Sequence, residues 1–153
     1  MASIESTTES LVTPGRRLLL FRAAGTACAC DLEAVREIVR GRPLARIPGA
    51  PAWVRGIMNL RGTLITVVDL SVRLGSLDGG PPRVVVVVEG AGKRYGIGVE
   101  SVQGVATAGE ESIEALDAQR NSGGVVGALA KLEEGTVQVC EVDVIAREAL
   151  AVN

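Results

Sequence analysis

Residues 54–75, VRGIMNLRGTLITVVDLSVRLG, constrain the fold more than any other stretch of the chain. Apolar residues run on both sides of a turn, Asn59-Leu60-Arg61-Gly62, and the second run stops at Asp69. That pattern predicts a strand, a tight turn, a second strand and a short amphipathic segment. Gly56, Asn59 and Gly62 shape this hairpin, and Asp69 caps the helical turn that follows it. Arg61 stands beside a turn glycine between two buried strands. Two readings of it stay open at this level: a structural ion pair, for example with Glu37, and contact with a partner.

The rest of the chain continues the β pattern. Its 153 residues suffice for one domain with a real core. Apolar residues make up 47%, yet Phe21, Trp53 and Tyr95 are the only aromatics, so the core must be built of aliphatic side chains. Clustered valines favour strands, and 19 glycines supply turns. Residues 1–15 read as a disordered tail and 16–153 as a single domain. Strands are predicted at 18–21 and 27–30. Asp31 reads as the N-cap of a short helix with Leu32, Val35, Ile38 and Val39 on one face and Gly41 as its stop. Pro43, Pro48 and Pro51 make 42–52 a rigid connection, with Trp53 and Val54 anchoring it. Residues 76–82 form a loop and the main internal boundary. Strands follow at 84–89 and 94–99, then a mixed strand or bend over 100–108. A helical turn is predicted at 110–116 and a polar loop at 118–124. A last hairpin turns at Glu133-Glu134-Gly135, and Asp143 caps a final helix reaching about residue 151. The run from Gly56 to Asp69 is echoed from Gly127 to Asp143, which fits two small, similarly built β-barrels packed along an apolar seam.

Several chemistries find no support. There is no histidine, which removes the commonest general base and metal ligand. Cys28-x-Cys30 is not a redox motif, and with Cys140 these thiols read as packed hydrophobes. Gly90-Ala91-Gly92-Lys93 lacks the spacing of a phosphate loop and reads as a hairpin turn. Glu110, Glu111 and Glu114 read as a solvated turn. Arg36, Arg40, Arg42 and Arg46 read as a solvated basic face. With 16 basic and 18 acidic residues and few stacking aromatics, nucleic-acid binding is disfavoured. No metal, cofactor or enzymatic activity is expected. The lack of a signal-like segment or spanning apolar run, together with the odd cysteine count, points to a cytoplasmic protein without membrane insertion.

The stretch 54–75 resembles the signature hairpin of the CheW-like domain family, the chemotaxis coupling proteins. The match lies in Gly56, Asn59-Leu60-Arg61-Gly62, the apolar strand to Val68, Asp69-Leu70 and Leu74-Gly75. It extends to Val35-Arg36-Glu37-Ile38, which looks like the family's V-x-E-I helix, and covers about residues 16–150. The resemblance implies a mainly β fold of two SH3-like five-stranded β-barrel subdomains packed together, with short helices. It implies a non-enzymatic adaptor joining a chemoreceptor's cytoplasmic tip to the regulatory domain of a CheA-like histidine kinase in receptor clusters. Val35, Glu37, Ile38 and Arg61 match the family's receptor-binding positions. An accessory, frizzy-type member that binds receptor but not kinase is the alternative, and an unrelated small β-barrel binding module a more distant one.

Overall fold

Among the described residues, eleven strands form two sheets. The computed structural model describes residues 15–76, 81–117 and 122–150. Of the tail predicted at 1–15, residues 1–14 therefore lie outside the described residues, while Gly15 belongs to the first strand.

The chain runs β1 (Gly15–Ala23), β2 (Thr26–Asp31), a 3-10 turn (Leu32–Ala34), β3 (Val35–Arg40), β4 (Val54–Leu60), β5 (Thr63–Asp69) and α1 (Leu70–Arg73). After residues 77–80 it continues with β6 (Val84–Gly90), β7 (Lys93–Val99), β8 (Ser101–Gly109), a 3-10 turn (Glu110–Ser112) and β9 (Ile113–Ala115). A further 3-10 turn (Ser122–Gly124), β10 (Val126–Leu132), β11 (Gly135–Cys140) and α2 (Val142–Ala149) complete it. Sheet 1 has the order β8-β1-β2-β11-β10-β9, and sheet 2 the order β3-β6-β7-β5-β4. The expected five strands hold for sheet 2, while sheet 1 gains the three-residue β9 as a sixth.

Each sheet is assembled from both halves of the chain. The hairpin β1–β2 pairs with β8 and β11 of the second half, and the hairpin β6–β7 pairs with β3 and β5 of the first. The two halves repeat one another closely. The β1–β2 turn has positive φ at Ala24 and Gly25, and the β6–β7 turn has it at Ala91 and Gly92, as a two-residue hairpin demands. Ser71 Oγ, on the second residue of α1, accepts the Ala24 N–H at 2.8 Å, and Asp143, on the second residue of α2, accepts the Ala91 N–H at 2.8 Å. The register shift at Val54/Gly56 against β5 recurs at Val126/Ala128 against β11. The echo seen in the sequence is thus real, but its alignment changes: Gly56 corresponds to Ala128, and Asp69 to Glu141.

The main core lies between the sheets. Leu19, Phe21, Cys28 and Cys30 of sheet 1 meet Val68, Val86, Val88, Tyr95 and Ile97 of sheet 2, together with Leu70 of α1 and Ile145 of α2. Trp53 packs here, and the Arg73 guanidinium lies 5.6 Å from its ring centre. Tyr95 is fully buried and its hydroxyl donates to the Val142 carbonyl at 2.6 Å, tying β7 to α2. Smaller aliphatic clusters fill the inner face of each sheet, around Leu18 and Val139 in one and Met58 and Val67 in the other.

Four local expectations change. The helix predicted after Asp31 is a single 3-10 turn followed by strand β3, whose side chains alternate between half-buried and exposed. Branched Val35, Ile38 and Val39 favour a strand, and the ladder with β6 is there to receive them. Asp31 makes no side-chain cap; its carboxylate takes Nε and Nη2 of Arg16 at 2.9 Å each. The helical turn predicted at 110–116 gives way at Ile113 to β9, which pairs with β10. Asp143 is not the cap of the last helix: Glu141 holds that position without a side-chain bond, and the helix ends at Ala149.

Candidate docking site

The hairpin β4–β5 turns over Arg61 and Gly62, with φ of 52° and 86°. Asn59 Oδ1 accepts the Gly62 N–H at 2.7 Å and holds the turn closed. Arg61 is consequently fixed by its backbone and projects an exposed guanidinium. It meets Glu37 of β3 in an ion pair.

That pair joins the two edges of sheet 2, because β3 and β4 end its strand order. Ala45 and Ile57 exchange N–H···O bonds of 2.8 Å nearby, and Arg42 donates to the Asn59 carbonyl at 3.4 Å. Side chains and the connector thus bridge the two edges of sheet 2, with Glu37 and Arg61 at one crossing and Ala45 and Ile57 at another. The hydrogen bond from Arg61 holds the Glu37 carboxyl below the usual range, with lesser help from the charges of Arg61, Arg42 and Arg94. A lowered carboxyl keeps its charge at neutral pH, and the pair is lost only as pH falls through that depressed value.

Val35 and Ile38 lie on one face of β3 and Glu37 on the other. A register shift between Val35 and Glu37 sets Val35 opposite Val88 and Ile38 opposite Val86, both residues of the inter-sheet core. Val35 and Ile38 thus share the face that meets sheet 1, at a spacing of three that a regular strand does not allow. Val35 packs against the core, whereas Ile38 remains 45% exposed at the sheet edge. Glu37 sits opposite Val87, on the inner face, beside Arg61. An edge strand offers both faces to one partner, so exposed Ile38 and the Glu37–Arg61 pair form a single rim.

Asp69 ties the end of β5 to α1 and to Arg55 of β4. Asp69 Oδ1 accepts the N–H groups of Ser71 and Val72 at 3.0 and 3.4 Å, and its Oδ2 meets Arg55 Nη1 at 2.8 Å. Burial raises the Asp69 carboxyl, partly offset by the Val72 N–H and the Arg55 charge. A raised folded value means that protonation favours the fold: this contribution is full below the ordinary 3.8 and is lost as pH rises through the folded value. At neutral pH the acceptor atom matters more than the charge. Asp69→Ala is therefore expected to lower stability by about 2–3 kcal/mol, and Asp69→Asn by less than half of that, in urea unfolding at pH 7. Arg55 and Ser71 were not singled out from the sequence, since their partners lie 14 and 47 residues away, and Arg42, read there only as part of a solvated basic face, has its partner 17 residues away.

Nothing in the described site assembles chemistry. No group of three or more Cys, Asp or Glu residues there could hold a metal among the described residues. Cys28, Cys30 and Cys140 are buried, and burial pushes the Cys30 thiol up to about 12, far from a reactive thiolate. No helix among the described residues is long and apolar enough to cross a membrane.

Two interlocked sheets thus present a charged, apolar-edged rim, and no metal-binding cluster accompanies it among the described residues. The chain belongs to the CheW-like domain family, which it matches over residues 17–150. It is 34% identical over 106 residues to the chemotaxis protein CheW of Rhizobium meliloti, covering 68% of each chain. It is 25% identical over 132 residues to that of Thermotoga maritima, covering 86% of this chain and 87% of the other. The crystal structure of the scaffolding protein TtCheW from Thermoanaerobacter tengcongensis superposes with a TM-score of 0.75 at 26% identity, covering 85% of this chain and 91% of that one. The family consists of non-enzymatic chemotaxis adaptors that couple chemoreceptors to the kinase CheA, and this chain is an adaptor of that kind.

Proposed function

We propose that this chain binds the cytoplasmic tip of a chemoreceptor through the rim of Val35, Glu37, Ile38 and Arg61, and a CheA-like histidine kinase through its regulatory domain. The adaptor would then work in the cytoplasm, recruited to receptor clusters. The observation that carries the receptor contact is the exposed Glu37–Arg61 pair beside exposed Ile38. A receptor helix can take over either charge while covering the apolar edge, and the exchange gains specificity from the fixed backbone of Arg61.

Pull-down with a receptor cytoplasmic tip tests this reading. Arg61→Ala and Glu37→Ala are each expected to weaken capture by about 30-fold or more, the effect of removing one charged partner from a desolvated contact. Equal capture by wild type and both variants would remove the proposed rim. Titration against the isolated kinase regulatory domain tests the second contact separately.

A further inference from the structure

The connector between β3 and β4 forms an open cleft of about 1080 Å³ that the rim does not use. Pro43, Pro48 and Pro51 stiffen its wall, so its shape is largely preformed. Leu44, Ile47 and Val54 give it an aliphatic floor, and Arg42, Arg46 and Arg55 line it with guanidinium groups. No carboxylate lines the cleft among the described residues. Arg55 already meets Asp69, and Arg42 holds the Asn59 carbonyl only at 3.4 Å. Arg46 is exposed, and no ion pair engages it among the described residues.

The backbone adds a third element. Ala45 turns both its N–H and its C=O to Ile57 on β4. Alternation along an extended segment then directs those of Leu44 and Arg46 the other way, as a short open strand edge. A concave site with cations, an aliphatic floor and an open edge selects an extended peptide carrying carboxylates.

We infer that this cleft binds an acidic, extended segment of a partner protein, with carboxylates on Arg42 and Arg46 and apolar side chains on the floor. Nucleic acid fits it less well, because the chain's three aromatics, Phe21, Trp53 and Tyr95, are all buried in the core and none can stack on a base here. Arg42 borders the Glu37–Arg61 rim, but none of Val35, Glu37, Ile38 and Arg61 lines the cleft, and a test at Arg46 does not depend on receptor binding.

The experiment is fluorescence anisotropy of the full chain with a labelled eight-residue peptide alternating glutamate and valine, and with its lysine–valine counterpart. The acidic peptide is expected to bind saturably, more weakly at 200 than at 50 mM salt, and the basic one not at all. Arg46→Glu should weaken binding by about tenfold with an unchanged Tm, since Arg46 is exposed and makes no ion pair among the described residues. Arg61→Ala should leave binding unchanged. The inference is overturned by equal affinity for both peptides, by wild-type binding in Arg46→Glu, by loss of binding in Arg61→Ala, or by equally tight binding of an eight-nucleotide thymidine oligomer.

Discussion

Neither half of this chain is expected to fold alone. A polypeptide ending at residue 76 keeps the hairpins β1–β2 and β4–β5 but leaves β3 without its partner β6. A polypeptide beginning at residue 81 keeps β6–β7 and β10–β11 but leaves β8 without β1. The four ladders that complete the sheets, β1–β8, β2–β11, β3–β6 and β5–β7, all join one half to the other. So does the main core, where Phe21 and Val68 meet Tyr95 and Ile145. Isolated hairpins are marginal in water, so separation forfeits essentially the whole of a domain stability of about 5–15 kcal/mol. Circular dichroism of each half should show a disordered chain, and an equimolar mixture should regain the β spectrum. The intact protein should unfold in one transition by urea, whichever sheet the probe reports on. A stably folded half, or two separate transitions, would contradict the interlocked architecture.

This interlocking is the part of the fold least visible in the sequence. The strands themselves were legible, because apolar runs such as Val84 to Val88 are bounded by turn glycines. The repeat was legible as an echo, but not which hairpin joins which sheet, since strand partners are set by packing between distant segments. The error at β3 has a specific physical origin. Val35, Ile38 and Val39 stand at spacings of three and four, the signature of a helix face. The shifted register near Arg36 gives a strand the same spacing, setting Val35 and Ile38 on one face. Branched side chains were the signal that could have decided for a strand. Asp31 misled in the same way: a carboxylate before an apolar run resembles a cap, while its true partner, Arg16, lies 15 residues back across β1–β2. In the rim, the pairing of Arg61 with Glu37 was one of two open readings, and its place between the two edge strands of sheet 2 follows only from the strand order.

The second large effect is expected at Gly56. Its φ is 146°, a backbone region that side-chain-bearing residues rarely enter. A Cβ there would also lie 2.5 Å from the Ala45 carbonyl oxygen, which is held by the Ile57 N–H and has little room to retreat. The corresponding position in the other half is Ala128, a residue with a Cβ and without positive φ. The shared topology therefore does not demand glycine at this point; the close passage of the 41–53 connector does. Strain of about 1–3 kcal/mol and overpacking of about 1–3 kcal/mol act together in Gly56→Val, for a loss of about 2–6 kcal/mol. Gly62 separates the two terms. It also has positive φ, 86°, but nothing lies within 4 Å of where its Cβ would be. Gly62→Ala carries the backbone strain alone, about 1 kcal/mol. Urea midpoints at fixed m should rank Gly56→Val below Gly56→Ala, and Gly56→Ala below Gly62→Ala. Equal midpoints for the two alanine variants would mean that contact with Ala45 adds nothing. The connector would then be free to move off β4, and the approach of Arg61 to Glu37 would need another cause.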